Sequence, residues 1–109
     1  MNWFEPKNWT FRNNQKRKNK NKKNGKHPSL VVGENETQFA NLGLTHSSKR
    51  GHHKNIKLSK NPNKKDNKPS YIRDDLQLDD KEYLKEVLNY QKLPKQDIDK
   101  IMKIINKKR

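Results

Sequence analysis

From Arg12 to Lys26 the chain reads RNNQKRKNKNKKNGK, eight Lys/Arg in fifteen residues, with no carboxylate and with Asn as the main spacer. A segment so charged cannot be buried, because each cation would lose its hydration without gaining a partner. Any core must therefore come from the rest of the chain. Of 109 residues only 27% are hydrophobic and 36% are charged, so a chain this short and polar supports one small core at most.

The positive charge is lopsided. Residues 1–72 hold 17 basic and 4 acidic side chains, a net +13, whereas residues 73–109 hold 10 and 8, a net +2. Clustered cations attract a polyanion and release its condensed counterions on contact. Nucleic acid is the expected partner, with Arg12, Lys16, Arg17, Lys18, Lys20, Lys22, Lys23 and Lys26 as the phosphate-binding side chains. An anionic membrane surface is the competing polyanion. It would need an apolar anchor or a lipidation signal beside the run; Asn2 stands where myristoylation needs Gly, and no apolar stretch reaches transmembrane length. The chain has no Cys, which fits a reducing compartment. The expectation is a soluble cytoplasmic protein with no membrane partner.

The apolar residues gather in two places. In the first, PSLVVG from Pro28 reads as a short buried strand, and Ala40, Leu42 and Leu44 alternate with Asn41 and Gly43 as a half-buried one, which together suggest a β-hairpin. Ile56 and Leu58 flank Lys57, and SYI at Ser70–Ile72 follows Pro69, giving two more short strands. Between them Asn61–Pro69, NPNKKDNKP, reads as a solvated connector. Four short strands in so few residues predict a small, strongly curved sheet or partial barrel.

The second collection has a helical period. Asp79 and Glu82 have capping-box spacing, and Leu84, Val87, Leu88 and Gln91 follow at helical intervals. A second helix is expected from Pro94, with Asp97 and Asp99 in its early turns, an apolar face of Ile98, Ile101, Met102 and Ile105, and Lys107 to Arg109 at its end. The short QKLP link makes the two an antiparallel helical hairpin. The expected organisation is α+β: an aromatic and basic arm over residues 1–25, a partial barrel over 26–75, and the helical hairpin over 76–109.

Trp3, Phe4, Trp9 and Phe11 precede the basic run. They can offer a stacking platform for bases, each worth about 1–3 kcal/mol, or they can pin the arm to the sheet, which a core so poor in aliphatics needs. The histidines are His27, His46, His52 and His53. A zinc site would have to be mostly histidine. Proton transfer is the better motivated role, since imidazole titrates near neutrality, and no metal or cofactor is expected.

The segments KHPSLVVGE (Lys26–Glu34) and LGLTHSS (Leu42–Ser48) place a basic residue before a Pro that opens a hydrophobic strand, then a second strand ending in a Thr/Ser-rich loop. This pattern resembles the MazF/PemK family of endoribonuclease toxins, including those neutralised by RNA. KNIKLSKNP (Lys54–Pro62) and KPSYI (Lys68–Ile72) are similar to its downstream strands. Over residues 26–72 the resemblance implies an SH3-like barrel, cleavage of single-stranded RNA without metal through 2′-hydroxyl attack, and an antitoxin partner. His27 takes the position where the family often has its catalytic Arg, and Thr45 matches its active-site Thr. His46 and Arg50 complete the candidate catalytic set, with Lys26 or Arg50 supplying the missing cation and Ser47 a further hydroxyl. The family also opens with a hydrophobic strand before this step; either residues 8–12, NWTFR, replace it or the barrel is incomplete.

A different class of function stands beside this one. The chain could be a non-catalytic module that clamps RNA or a ribonucleoprotein, as a ribosome-associated protein or a phage-type inhibitor of an RNA-guided nuclease would. A His rather than an Arg before Pro28 favours that reading; the paired KHP and LTHSS motifs favour the first. Oligomeric state is open to both.

Overall fold

The computed structural model describes residues 1–17, 27–50 and 53–108. In chain order the strands are β1 (Asn2–Trp3), β2 (Thr10–Asn13), β3 (Pro28–Glu34), β4 (Gln38–Thr45), β5 (Lys49–Arg50), β6 (His53–Lys54), β7 (Ile56–Lys57), β8 (Tyr71–Ile72) and β9 (Gln77–Asp80), followed by helix α1 (Lys95–Lys108). Single 3-10 turns occupy Pro6–Asn8, Gln15–Arg17 and Lys81–Leu84. The protein is α+β, a curled antiparallel half-barrel with one C-terminal helix.

The β3–β4 hairpin is its spine, as the alternating aliphatics predict. Leu30 faces Leu42 and Ser29 faces Gly43, and the register slips between Val31 and Gly33. Such a bulge sharpens the local twist and helps to curl the sheet. The hairpin's flanks are shared out along their length. On β3, β1 pairs with Gly33 and Glu34 while β2 pairs with Pro28 to Val31. On β4, β9 pairs with Gln38 to Asn41 while β8 pairs with Leu44 and Thr45. Strand β7 extends the sheet beyond β8, and β5 with β6 forms a separate ribbon.

The concave face holds the core. Leu30, Val32, Ala40 and Leu42 meet Trp9 and Phe11 from the N-terminal segment, and Ile101, Ile104 and Ile105 of α1 close over them. The aromatics thus pin the N-terminal segment to the sheet, and NWTFR contributes β2 in front of the His27–Pro28 step. Gly33 is needed where β1 crosses, since a Cβ there would lie 2.8 Å from the Asn2 carbonyl oxygen.

Helix α1 begins as the sequence suggests, with the Pro94 carbonyl accepting the first bonds from the N–H groups of Asp97 and Ile98. Asp97 is fully buried and accepts hydrogen bonds from the N–H and hydroxyl of Ser59, both at 2.9 Å. That carboxylate ties the first turn of the helix to the chain leaving β7.

The helical hairpin is not formed. Its first member is replaced by β9, the 3-10 turn and an extended segment in which Val87 bridges Arg12 and Leu88 donates to the Phe11 carbonyl. The physical reason is that β4 has backbone groups to satisfy along Gln38–Asn41, and residues 77–80 supply them. Asp79 is then drawn beneath the sheet rather than left to cap a helix. The expectation that β4 is half-buried also changes: Asn41 has no solvent exposure, and its amide donates to the Gln77 carbonyl and the Asp79 carboxylate of β9. No helix among the described residues is long and apolar enough to cross a membrane.

Candidate functional site

Antiparallel pairing of Ser29 with Gly43 carries His27 and Thr45 to facing positions just past the paired ends of β3 and β4. Two adjoining hollows of about 480 Å³ each open there, and both are lined by His27, Pro28, Leu44 and Thr45. Toward β9 the walls are Lys16, Arg73, Gln77 and Asp79. Toward the Asn61–Pro69 loop they are His46, Asn61, Asn63, Asp66, Ser70 and Tyr90.

The His27 backbone is clamped from both sides, its N–H donating to Asn13 Oδ1 at 2.9 Å and its carbonyl accepting from Asn14 N–H at 2.7 Å. Asn13 and Asn14 are held because β2 is paired with β3. Thr45 Oγ1 accepts from the Ser47 N–H at 3.2 Å, so its hydroxyl proton remains to be donated elsewhere.

His46 is partly exposed and bonds through Nε2 to Asp66 Oδ2 at 2.5 Å. The Lys68 N–H and His46 itself hold the Asp66 carboxyl below its ordinary value. An ionised carboxylate only accepts, so the proton sits on His46 Nε2 and Nδ1 is left as the second working nitrogen. Burial, reinforced by the Asp66 charge and opposed by a bond from Asn63, pushes the Tyr90 phenol up. It remains a protonated donor at neutral pH.

On the other side Lys16 Nζ lies 3.2 Å from Asp79 Oδ1, and Asn14 and Asn41 both donate to Oδ2 at 3.0 Å. Burial alone would raise the Asp79 carboxyl, but the bonds from Asn41, Asn14 and Lys16 outweigh it and hold the group below 3.8. Lys16 is therefore fixed at the wall as half of an ion pair. The Arg73 backbone N–H donates to the Gly43 carbonyl at 2.9 Å, which anchors the residue at the wall.

Of the residues singled out from sequence, His27, Thr45, His46 and Lys16 meet at these hollows. Arg12 does not: its Nη1 donates to the Leu84 carbonyl at 3.1 Å and its guanidinium lies 4.9 Å from the Phe39 ring centre, so it fastens the 3-10 turn to the sheet. Lys18, Lys20, Lys22, Lys23 and Lys26 lie outside the described residues, as do the side chains of Arg17 and Arg50 and the whole of His52. Among the ionisable wall residues, Asp66, Arg73, Asp79 and Tyr90 were not among the site residues expected from sequence. Asp66 had a signal, being the single carboxylate in a loop of Lys and Asn. Arg73 had a weaker one, as the cation directly after the SYI strand.

Among the described residues no three His, Cys, Asp or Glu side chains are grouped as a metal site. No family model, curated protein or solved structure matches this chain.

Proposed function

We propose that the protein binds single-stranded RNA across the two hollows and cleaves it there by attack of a 2′-hydroxyl on the adjacent phosphate. The observation that carries this reading is that His27, Thr45 and His46, drawn from different strands and loops, line one hollow, while Lys16 and Arg73 line the adjoining one that shares His27 and Thr45. Such a reaction needs a group that takes a proton and one that gives a proton, and two imidazoles suit both tasks near neutrality. One takes the 2′-hydroxyl proton as the oxygen bonds to phosphorus; the other gives a proton to the 5′-oxygen as the P–O5′ bond breaks, leaving a 2′,3′-cyclic phosphate and a 5′-hydroxyl. Asp66 orients His46, and Arg73 with the Thr45 hydroxyl stabilises the charge developing on the phosphate oxygens. Arg73 thus takes the role that the family resemblance gives to an Arg before Pro28. On this reading the curled sheet is an SH3-like barrel of the MazF/PemK type, acting in the cytoplasm under the control of an antitoxin.

The second reading, a non-catalytic RNA or ribonucleoprotein clamp, is favoured by His27 standing where that Arg is expected. Labelled single-stranded RNA incubated with the protein and a chelator separates the two. Cleavage is expected to yield cyclic-phosphate ends and to slow about 10²–10⁴-fold in His27→Ala and in His46→Ala. RNA that is bound but left intact favours the clamp, and equal cleavage by His27→Ala rules out the assignment of that residue.

A further inference from the structure

Next to the His46 hollow the Asn61–Pro69 loop encloses a further depression of about 510 Å³, which shares Asn61, Asn63, Asp66 and Ser70 with it. Lys57, Lys60, Lys64 and Lys68 line this depression and are exposed. Among the described residues none of the four pairs with a carboxylate. The one carboxylate in the wall, Asp66, already accepts from His46 and from the Lys68 N–H.

Lys57 lies on β7 and Lys60 just before the loop; the loop itself, which carries Lys64 and Lys68, is built rather than slack. Asn61 Oδ1 accepts from Asn63 N–H, Asn63 Oδ1 from Lys65 N–H, and Asp66 Oδ1 from Lys68 N–H, three successive turns of one kind. Asn61 Nδ2 closes the base on the Lys68 carbonyl at 3.1 Å, and the Pro62 carbonyl accepts from Gln91 N–H at 2.9 Å. Four exposed ammonium groups around this depression, none paired with a carboxylate among the described residues and set beside a hollow read as the reacting centre, are an arrangement for successive phosphates.

We infer that Lys57, Lys60, Lys64 and Lys68, on and beside the Asn61–Pro69 loop, form a second phosphate track, which holds the RNA backbone on the His46 side of the scissile bond and is distinct in sequence from the basic run at Lys18–Lys26. The inference rests on the RNA reading above. Its test measures binding of a single-stranded RNA oligomer carrying 2′-O-methyl groups throughout, which cannot be cut by 2′-oxygen attack, as a function of salt. Each phosphate contact on a single strand contributes about 0.7 to the slope of log K against log salt. Replacing Lys57, Lys60, Lys64 and Lys68 by Gln should flatten the slope by about 2–3, while replacing all four by Arg should preserve it. A Gln variant with the wild-type slope overturns the track and leaves the RNA reading standing. Wild-type protein that binds no RNA, or releases it to vesicles of anionic lipid, overturns both. Binding with the expected slopes but no cleavage of unmodified RNA supports the track and removes only the chemistry.

Discussion

Asp79 was legible in the sequence only as the first residue of a capping box, because its partners are far away along the chain. Asn41 is 38 positions from it and Asn14 is 65, and no local pattern announces such a contact. The side chain, 4% exposed, satisfies two buried amides and one ammonium group. Asp79→Ala should therefore cost about 2–3 kcal/mol at neutral pH, the penalty of leaving buried donors unmade. The sign of its pH dependence follows from a carboxyl held below 3.8. A depressed folded value stabilises the protein above the unfolded value and loses that contribution as pH falls through the folded one. Thermal melts should show the difference between wild type and Asp79→Ala narrowing below about pH 4; a gap that stays constant to low pH would contradict the assignment.

At the scale of elements, short-range signals succeeded and long-range ones failed. The β3–β4 hairpin and α1 were readable because their apolar periods are local: Leu30 and Val32 alternate on one strand, and Ile98, Ile101 and Ile105 repeat on one helical face. Ile101 sits at 0% exposure, and Ile101→Ala should lower stability by about 2–5 kcal/mol in a denaturant titration. The segment from β9 to Leu88 departs from the helical reading: Leu84, Val87 and Leu88 do fit a helical period, but the backbone demands of β4 on residues 77–80 and of β2 on Val87 and Leu88 decide against it. The facing of His27 and Thr45 was implicit in the hairpin, but the approach of Asp66 and Tyr90 was not, since it depends on where two irregular loops come to rest. The N-terminal boundary has a practical consequence. Arg12 and Asn13 belong to β2, and Asn14 is buried, so deletion of residues 12–26 should unfold the protein. Joining Arg17 to His27 through a short Gly/Ser linker removes only the basic run; it should preserve the cooperative melt while flattening the salt dependence of RNA binding. A folded, RNA-binding product of the longer deletion would show that β2 is dispensable.

For the molecule as a whole, a formal charge of +15 is carried by a chain with a single small core. The described ion pairs are few, and two of them spend acidic groups inside the fold, at Asp79 and Asp97. Most cations therefore repel one another across the surface, and that repulsion opposes the compact state. Salt screens it over a length of about 10 Å at 0.1 M, so the free protein should melt at higher temperature as sodium chloride is added. On the proposed RNA-binding reading, bound RNA would remove the same repulsion by a different route, and at a free concentration near 100 times Kd it should add about 2.7 kcal/mol. For a domain of this size that corresponds to a rise in Tm of roughly 10 °C or more. Salt acts on this second stabilisation with the opposite sign, because it weakens phosphate contacts. The Tm of the free protein and that of the RNA-saturated protein should therefore converge as salt rises, the first climbing and the second falling. Melts run in parallel over a salt series test this directly. Two curves that climb together with a constant separation would mean that RNA is not held through the surface cations, and that charge serves solubility instead.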